Sequence, residues 1–220
     1  LNLREEKFFK DIVEHETFYV AIKDKKFVKH QYNGEEVFVI WTEEALVHKY
    51  LDHYNIEADK VVPKDIDAFT TYERRNIFDE EDEILVNVTN TLEGHFINVV
   101  EATDEIVTVL NDIRLREFTQ DVANTDRVIG LTNKETRNFI TVTESDYNVD
   151  FIPVWSLSKR AEAVKDADFE ECDLIDVEGE VFSEWLDGLR DDDKYVAIDL
   201  KPGVVGTIVS AQRLANELTF

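Results

Sequence analysis

Cysteine, proline, glycine and methionine are all scarce in this 220-residue chain, at one, three, seven and none. The lone Cys172 excludes an intrachain disulfide framework and a cysteine-rich zinc or iron–sulfur site, since either needs several thiols at set spacings. With no recognisable export signal, that usage leads to the expectation of a cytoplasmic protein. No apolar run approaches the roughly 20 residues that a membrane-spanning helix requires, so no membrane partner is expected. Nor does a Gly-Ser or Pro-rich stretch mark a linker. The absence of methionine is anomalous beside an ordinary hydrophobic fraction of 43%; any spacing that had lost one would read short by one residue.

Positive charge is scarce as well. Against 49 Asp and Glu stand 24 Lys and Arg, a formal charge of −25. A field of that sign repels phosphate backbones and anionic lipid, which argues against nucleic-acid and membrane binding. It suits a basic protein partner, because opposite potentials speed encounter and suppress wrong pairings. The plainer reading is acidity that keeps the protein in solution or adapts it to high salt.

What is plentiful is apolar and aromatic side chain, with 14 Phe, 7 Tyr and 3 Trp. That supply is enough for real cores and sets the chain apart from acidic disordered sequences. Its organising pattern is a strand ending in Trp with a helix directly behind it. Val37-Phe38-Val39-Ile40-Trp41 precedes Thr42-Glu43-Glu44-Ala45-Leu46-Val47, and Phe151-Ile152-Pro153-Val154-Trp155 precedes Ser156-Leu157-Ser158-Lys159-Arg160-Ala161. In both, a hydroxyl residue follows the Trp, where it can accept from an orphan amide and cap the helix.

Flanking segments match in the same order. Lys60-Val61-Val62-Pro63 and Asp173-Leu174-Ile175-Asp176 lead into helices carrying Phe69 and Tyr72, or Phe182 and Trp185. The second of these helices shows an apolar stripe of Val181, Phe182, Trp185, Leu186 and Leu189. Acidic turns, Asp79-Glu80-Glu81-Asp82-Glu83 and Asp191-Asp192-Asp193, precede Ile84–Val88 and Tyr195–Ile198. Phe9, Val13 and Tyr19–Ile22 pair with Phe118, Val122 and Val128–Leu131. Correspondence over so many segments in one order indicates an internal duplication, with residues 1–110 and 111–220 as two α+β repeats.

Each repeat is expected to be a small antiparallel or mixed sheet covered by helices on one face, the two repeats being related by a pseudo-twofold. Tyr19 to Asp24 and Phe27 to Gln31 form a hairpin, and Asn33-Gly34 marks a further turn. Helical residues near Thr103 to Phe118 join the halves.

The helix Glu6 to Val13, the hairpin starting at Phe18-Tyr19, and the strand Phe38-Val39-Ile40-Trp41 with its following helix resemble the uncharacterised bacterial family called domain of unknown function 2750. Pro153-Val154-Trp155-Ser156, Ala161-Glu162-Ala163 and the ending Gly206-Thr207-Ile208 to Leu214–Leu218 carry the resemblance best. The first copy departs from it, with no Pro before Trp41 and Thr in place of Ser. Strand, Trp-Ser or Trp-Thr and helix are also distantly similar to the N-terminal domain of secretion regulators of the SseB type. Neither resemblance implies a catalytic residue.

Local chemistry is sparse. The acidic runs lack the alternating ligands and turn glycine of a calcium loop, and read as solvated turns or a protein-contact patch. All five histidines, His15, His30, His48, His53 and His95, fall in the first half. His48 and Asp52 lie four apart on a helix, an arrangement that suits a surface pair better than an acid–base site. Asn87-Val88-Thr89 matches a glycosylation acceptor by chance. Cys172, between Glu171 and Asp173, reads as a buried, unreactive thiol. No catalytic, cofactor-binding or metal-ligating residue is assigned. Trp41, Trp155, Asp79, Glu80, Glu81, Asp82, Asp191, Asp192 and Asp193 are the candidate partner-binding residues, although packing in a core or at a subdomain interface is the favoured reading of the two tryptophans. The function expected is a non-catalytic protein-binding or regulatory module. The alternative is an enzyme or small-ligand binder using a cleft between the repeats.

Overall fold

Alternation of buried side chains along each strand decides where the helices go, and here both faces of the sheets are apolar. The computed structural model describes residues 3–144 and 149–218. The chain divides into two compact units, Leu1–Val109 and Leu110–Phe220.

In unit 1, helix α1 (Leu3–His15) leads to β1 (Thr17–Lys23), β2 (Lys26–Phe27), β3 (Lys29–Tyr32) and β4 (Glu35–Ile40). Helix α2 (Glu44–Tyr54) and β5 (Lys60–Asp65) follow. Next come α3 (Ile66–Ala68), a π-helical turn (Phe69–Glu73) and α4 (Arg74–Ile77), then β6 (Glu83–Val86) and β7 (His95–Asn98). β1 pairs with β2 and β5, and a second sheet runs β3-β4-β6-β7 with β4 and β6 parallel. An antiparallel bridge joins the two sheets at Tyr19 and Trp41, whose backbones exchange bonds of 2.7 and 3.0 Å. The β1–β2 turn, at Asp24 and Lys25, and the β3–β4 turn, at Asn33 and Gly34, each hold two consecutive residues at positive φ, as two-residue hairpins need.

Helix α5 (Val99–Thr125) starts in unit 1 and ends in unit 2. Unit 2 continues with β8 (Arg127–Asn133), β9 (Val142–Glu144), β10 (Val149–Trp155), α6 (Ser158–Asp168), β11 (Cys172–Glu178), α7 (Gly179–Asp191), β12 (Tyr195–Lys201), β13 (Val205–Ser210) and α8 (Ala211–Glu217). Its sheet order is β11-β8-β10-β12-β13, with β9 alongside β10 and with β10 and β12 parallel. Joined through the Tyr19–Trp41 bridge, unit 1 reads β5-β1-β4-β6-β7, the same order with the same parallel pair. The α+β class is as the sequence indicated, and the sheets are mixed.

Three sequence expectations are corrected. Helices cover both faces of the sheet. Val128, Val154 and Ile198 pack with α5, α7 and α8, while Ile129, Leu131, Phe151 and Trp155 pack with α6. The cause is β10, whose run from Phe151 to Trp155 is buried at every position, so a helix on one side alone would leave half its apolar surface wet. The register of the first segment also moves by one. Phe8 and Ile12 are the enclosed apolar residues of α1, in the role of Phe118 and Val122, and it is Tyr19 and Ile129 that face Trp41 and Trp155. Finally, Val181 is exposed, so the α7 stripe rests on Phe182 and Leu186, with Trp185 and Leu189 partly buried.

Trp155 is fully enclosed, with 0% of its surface accessible. Trp155→Ala is expected to destabilise unit 2 by about 3–5 kcal/mol through lost packing. Urea unfolding of the full chain measures this, and an unchanged midpoint would contradict the burial described.

Candidate functional site

Tryptophan ends β10 in unit 2 and directly follows β4 in unit 1, and just beyond it a buried hydroxyl meets a polar residue from, or just past, the next strand over. In unit 2 the Trp155 indole Nε1–H donates to the Leu200 carbonyl at 3.0 Å, and the Ser156 amide donates to Asp199 Oδ1 at 2.8 Å. Ser156 Oγ stands 2.9 Å from Asp199 Oδ2 and 3.1 Å from Asp121 Oδ2; its single proton serves one carboxylate at a time. Arg160 Nη1, one turn into α6, donates to Asp199 Oδ2 at 2.9 Å and lies 3.7 Å from Asp121.

Asp199 has φ of 47°, a left-handed conformation that Asp and Asn adopt more readily than most residues. That geometry turns its carboxylate back toward Ser156. Burial raises its pKa above the ordinary carboxylate value, opposed by the Ser156 amide and Arg160 and assisted by the Asp121 charge.

Unit 1 builds the same arrangement from different residues. Trp41 Nε1–H donates to the Val88 carbonyl at 2.7 Å, and the Thr42 amide donates to Asn87 Oδ1 at 2.9 Å. The Thr42 hydroxyl lies 3.2 Å from Asn87 Oδ1 and 3.3 Å from Asp11 Oδ2. Asn87 is left-handed at φ of 58°. Lys7 bonds Asp11 from one turn earlier in α1, and that hydrogen bond raises the lysine pKa. Where unit 2 has the charged pair Asp199 and Arg160, unit 1 has neutral Asn87 and Leu46.

These hydroxyls do not cap helices as expected. The N-caps of α2 and α6 are Glu43 and Leu157, neither making a side-chain cap bond. The hydroxyls are spent across the sheet, since Thr42 and Ser156 sit one residue too early to reach the helix amides. Ser156 is enclosed at 1% accessibility, so its oxygen braces strands and offers no surface to a substrate.

Trp41 and Trp155 are both buried at 0% accessibility, so in this state neither indole can touch a partner. Residues 79–81 and 191–193 are exposed and Asp82 is half-buried. Asp82 is also engaged, accepting from the Asp79 amide at 2.8 Å. His48 approaches Glu44 at 3.5 Å, in the turn before it, and both are more than half exposed. Asn87 is tied to Thr42, which gives the apparent glycosylation acceptor a structural role. Cys172 is buried, and burial followed by the Glu171 charge pushes its thiol pKa up. Among the described residues no group of three His, Cys, Asp or Glu is placed to hold a metal ion, and no helix is long and apolar enough to cross a membrane.

Sequence reasoning missed a second feature, an open groove of about 880 Å³ in unit 1. His30 and Tyr32 of β3, Tyr54 at the end of α2, Leu92 and Glu93 of the β6–β7 loop, and Phe96 of β7 line it. His30 Nδ1 lies 3.0 Å from the Tyr50 hydroxyl, and burial lowers the histidine pKa while pushing that of Tyr50 up to about 12. Only the clustering of aromatics in β3 and α2 hinted at it.

Residues 115–218 match the family described as Protein of unknown function (DUF2750), so the resemblance read from Trp155 and its neighbours holds for unit 2. No curated protein matches. Among solved structures, Anabaena Tic22, described under protein transport, aligns at 8% identity over 83% of this chain and 86% of that chain. Its TM-score is 0.23, a likeness too slight to indicate a shared fold.

Because Asp199 has its pKa raised on folding, the native state holds its proton more tightly than the unfolded chain. That contribution to stability is present below the ordinary carboxylate pKa and is lost as pH rises through the folded value. Asp199→Asn installs the amide that unit 1 has at Asn87 and removes this dependence. In urea melts over the acid range, the parent should gain stability relative to the variant as pH falls. Parallel curves would count against a raised Asp199.

Proposed function

We propose that this chain is a non-catalytic binding module whose acidic surface receives a basic protein. The carrying observation is the charge of −25, displayed in part as exposed acidic turns before β6 and β12. These turns stand at equivalent places in the two units, each ahead of a strand that pairs in parallel with the Trp-ending strand. Opposite charge on a partner accelerates encounter and selects against acidic competitors.

The reading includes common descent of the two units. It is supported by the shared strand order, by the two indole-to-carbonyl bonds, and by left-handed Asn87 and Asp199 in one role. The caps of the last helices agree as well. Asn98 Oδ1 accepts from the amide of Glu101, and Ser210 Oγ accepts from that of Arg213.

A fluorescent octalysine peptide should bind the full chain at low ionic strength. It should be released as added salt brings the screening length to about 8 Å or less. Changing Asp191, Asp192 and Asp193 together to Asn should weaken the low-salt complex severalfold. Fluorescence anisotropy reads both effects, and no binding at low salt would overturn the proposal.

A further inference from the structure

The geometry points to the groove of unit 1 as the place where a partner's cationic side chain inserts, an extended Arg- or Lys-bearing peptide lying along β3 and the β6–β7 loop. This rests on the binding reading above and adds the site. Seven large hydrophobic side chains are exposed among the described residues, and three of them, Tyr32, Tyr54 and Leu92, line this one groove at 46%, 44% and 43% accessibility. Scattered exposed apolar residues need no explanation, but their convergence marks a contact surface.

The walls are aromatic and held in place. Tyr32 meets Phe96 edge to face with ring centres 4.9 Å apart, and Tyr54 packs against His30 at 5.5 Å and Tyr50 at 4.7 Å. The Tyr50 hydroxyl fixes the His30 ring from behind. With its pKa lowered by burial, His30 stays neutral near pH 7 and sets no positive charge against an entering cation. No Lys or Arg is among the lining residues; Arg4 donates to the Gly94 carbonyl at 3.5 Å, lining His95 is engaged by Glu5 at 2.7 Å, and exposed Glu93 stands at the rim. Aromatic faces attract ammonium and guanidinium groups, and a guanidinium also stacks on them. In a chain of charge −25, a cation is therefore the favoured occupant.

Unit 2 shows what closes such a groove. Strand register puts Val142 where His30 stands, facing Phe151 as His30 faces Val37, and Ile208 where Phe96 stands, facing Ala197 as Phe96 faces Leu85. Asp168, the last residue of α6, takes the place of Tyr54, the last residue of α2. Its carboxylate accepts from the Gly203 amide at 2.8 Å, which ties the β12–β13 loop to the helix, and Val204 and Ile208 pack onto the core beside Trp155. In unit 1 the equivalent loop folds on itself. Thr89 Oγ1 accepts from the amides of Thr91 and Leu92 at 3.2 and 3.1 Å, leaving the space beside Tyr54 open. One frame thus carries a tied loop in unit 2 and an aromatic groove in unit 1.

The test uses the full chain with 13C-labelled tyrosine, titrated with an acetylated Gly-Ser-Gly-Arg-Gly-Ser-Gly amide and with its citrulline counterpart, which is neutral and of the same shape. The arginine peptide should shift the Tyr32 and Tyr54 ring signals saturably. The citrulline peptide should shift them far less. The double variant Tyr32→Ala, Tyr54→Ala should weaken arginine-peptide binding about tenfold. Leu92→Lys keeps the rings but sets a cation beside them, and should abolish the shifts, which guards against a tyrosine variant that merely fails to fold. Equal response to both peptides would overturn the cation assignment in favour of a neutral ligand. If octalysine binds at low salt while the tyrosine signals stay still and both variants bind as the parent does, the groove proposal falls and the acidic-surface reading stands. If octalysine does not bind at all, it is the broader reading that fails.

Discussion

The interaction on which both units depend is the fastening at the end of the Trp-bearing strand. A parallel pair such as β4 with β6, or β10 with β12, has no tight turn to fix its register, since the connection runs through a helix, a strand and further helix. The fastening supplies that constraint. The indole N–H takes a carbonyl just past the neighbouring strand's left-handed residue, and that residue's side chain takes the next amide of the Trp strand. Two adjacent residues of one strand are thereby locked to two adjacent residues of the other. The indole bonds are buried and the amide bonds partly so, and since an unmade buried bond is costly, slippage by one residue would be penalised in each unit.

The same fastening tolerates a change of charge when two positions change together. Asn87 needs no counter-ion, and the α2 position corresponding to Arg160 is Leu46. Asp199 is a largely covered carboxylate close to Asp121, and the half-exposed Arg160 of α6 reaches both. Two carboxylates held this close without that cation would disfavour each other's charged form. The serine or threonine hydroxyl remains between the two acceptors in either version.

Beyond the fastening the units diverge where function can act. β6 ends just before left-handed Asn87, whereas β12 continues past left-handed Asp199 to Lys201 through a register shift, and the loop after β6 closes on itself while the loop after β12 is held by Asp168. Loops tolerate variation more readily than the strands and helices they connect. The α2 and α6 termini vary in concert with them, Tyr54 on one side and Asp168 on the other.

The α+β class and the order of strand and helix at Val37–Val47 and at Phe151–Ala161 were legible in the sequence, because apolar periodicity and turn residues are local signals. The one-residue error that paired Phe9 with Phe118 shows the limit: helix phase depends on which face meets the sheet, and Phe8 and Phe9 are chemically alike. Asp11, Asn87, Asp121 and Asp199 were in plain view, but nothing in their neighbours marked them, since their partners lie 31 to 45 residues away in the chain. Only the tertiary structure decided that both tryptophans are enclosed, that helices cover both faces of the sheets, and that aromatic residues from β3, α2 and β7 gather around an open groove. Sequence records which side chains must leave water. Which of them meet, and which stay exposed, is settled when the sheet brings distant strands into register.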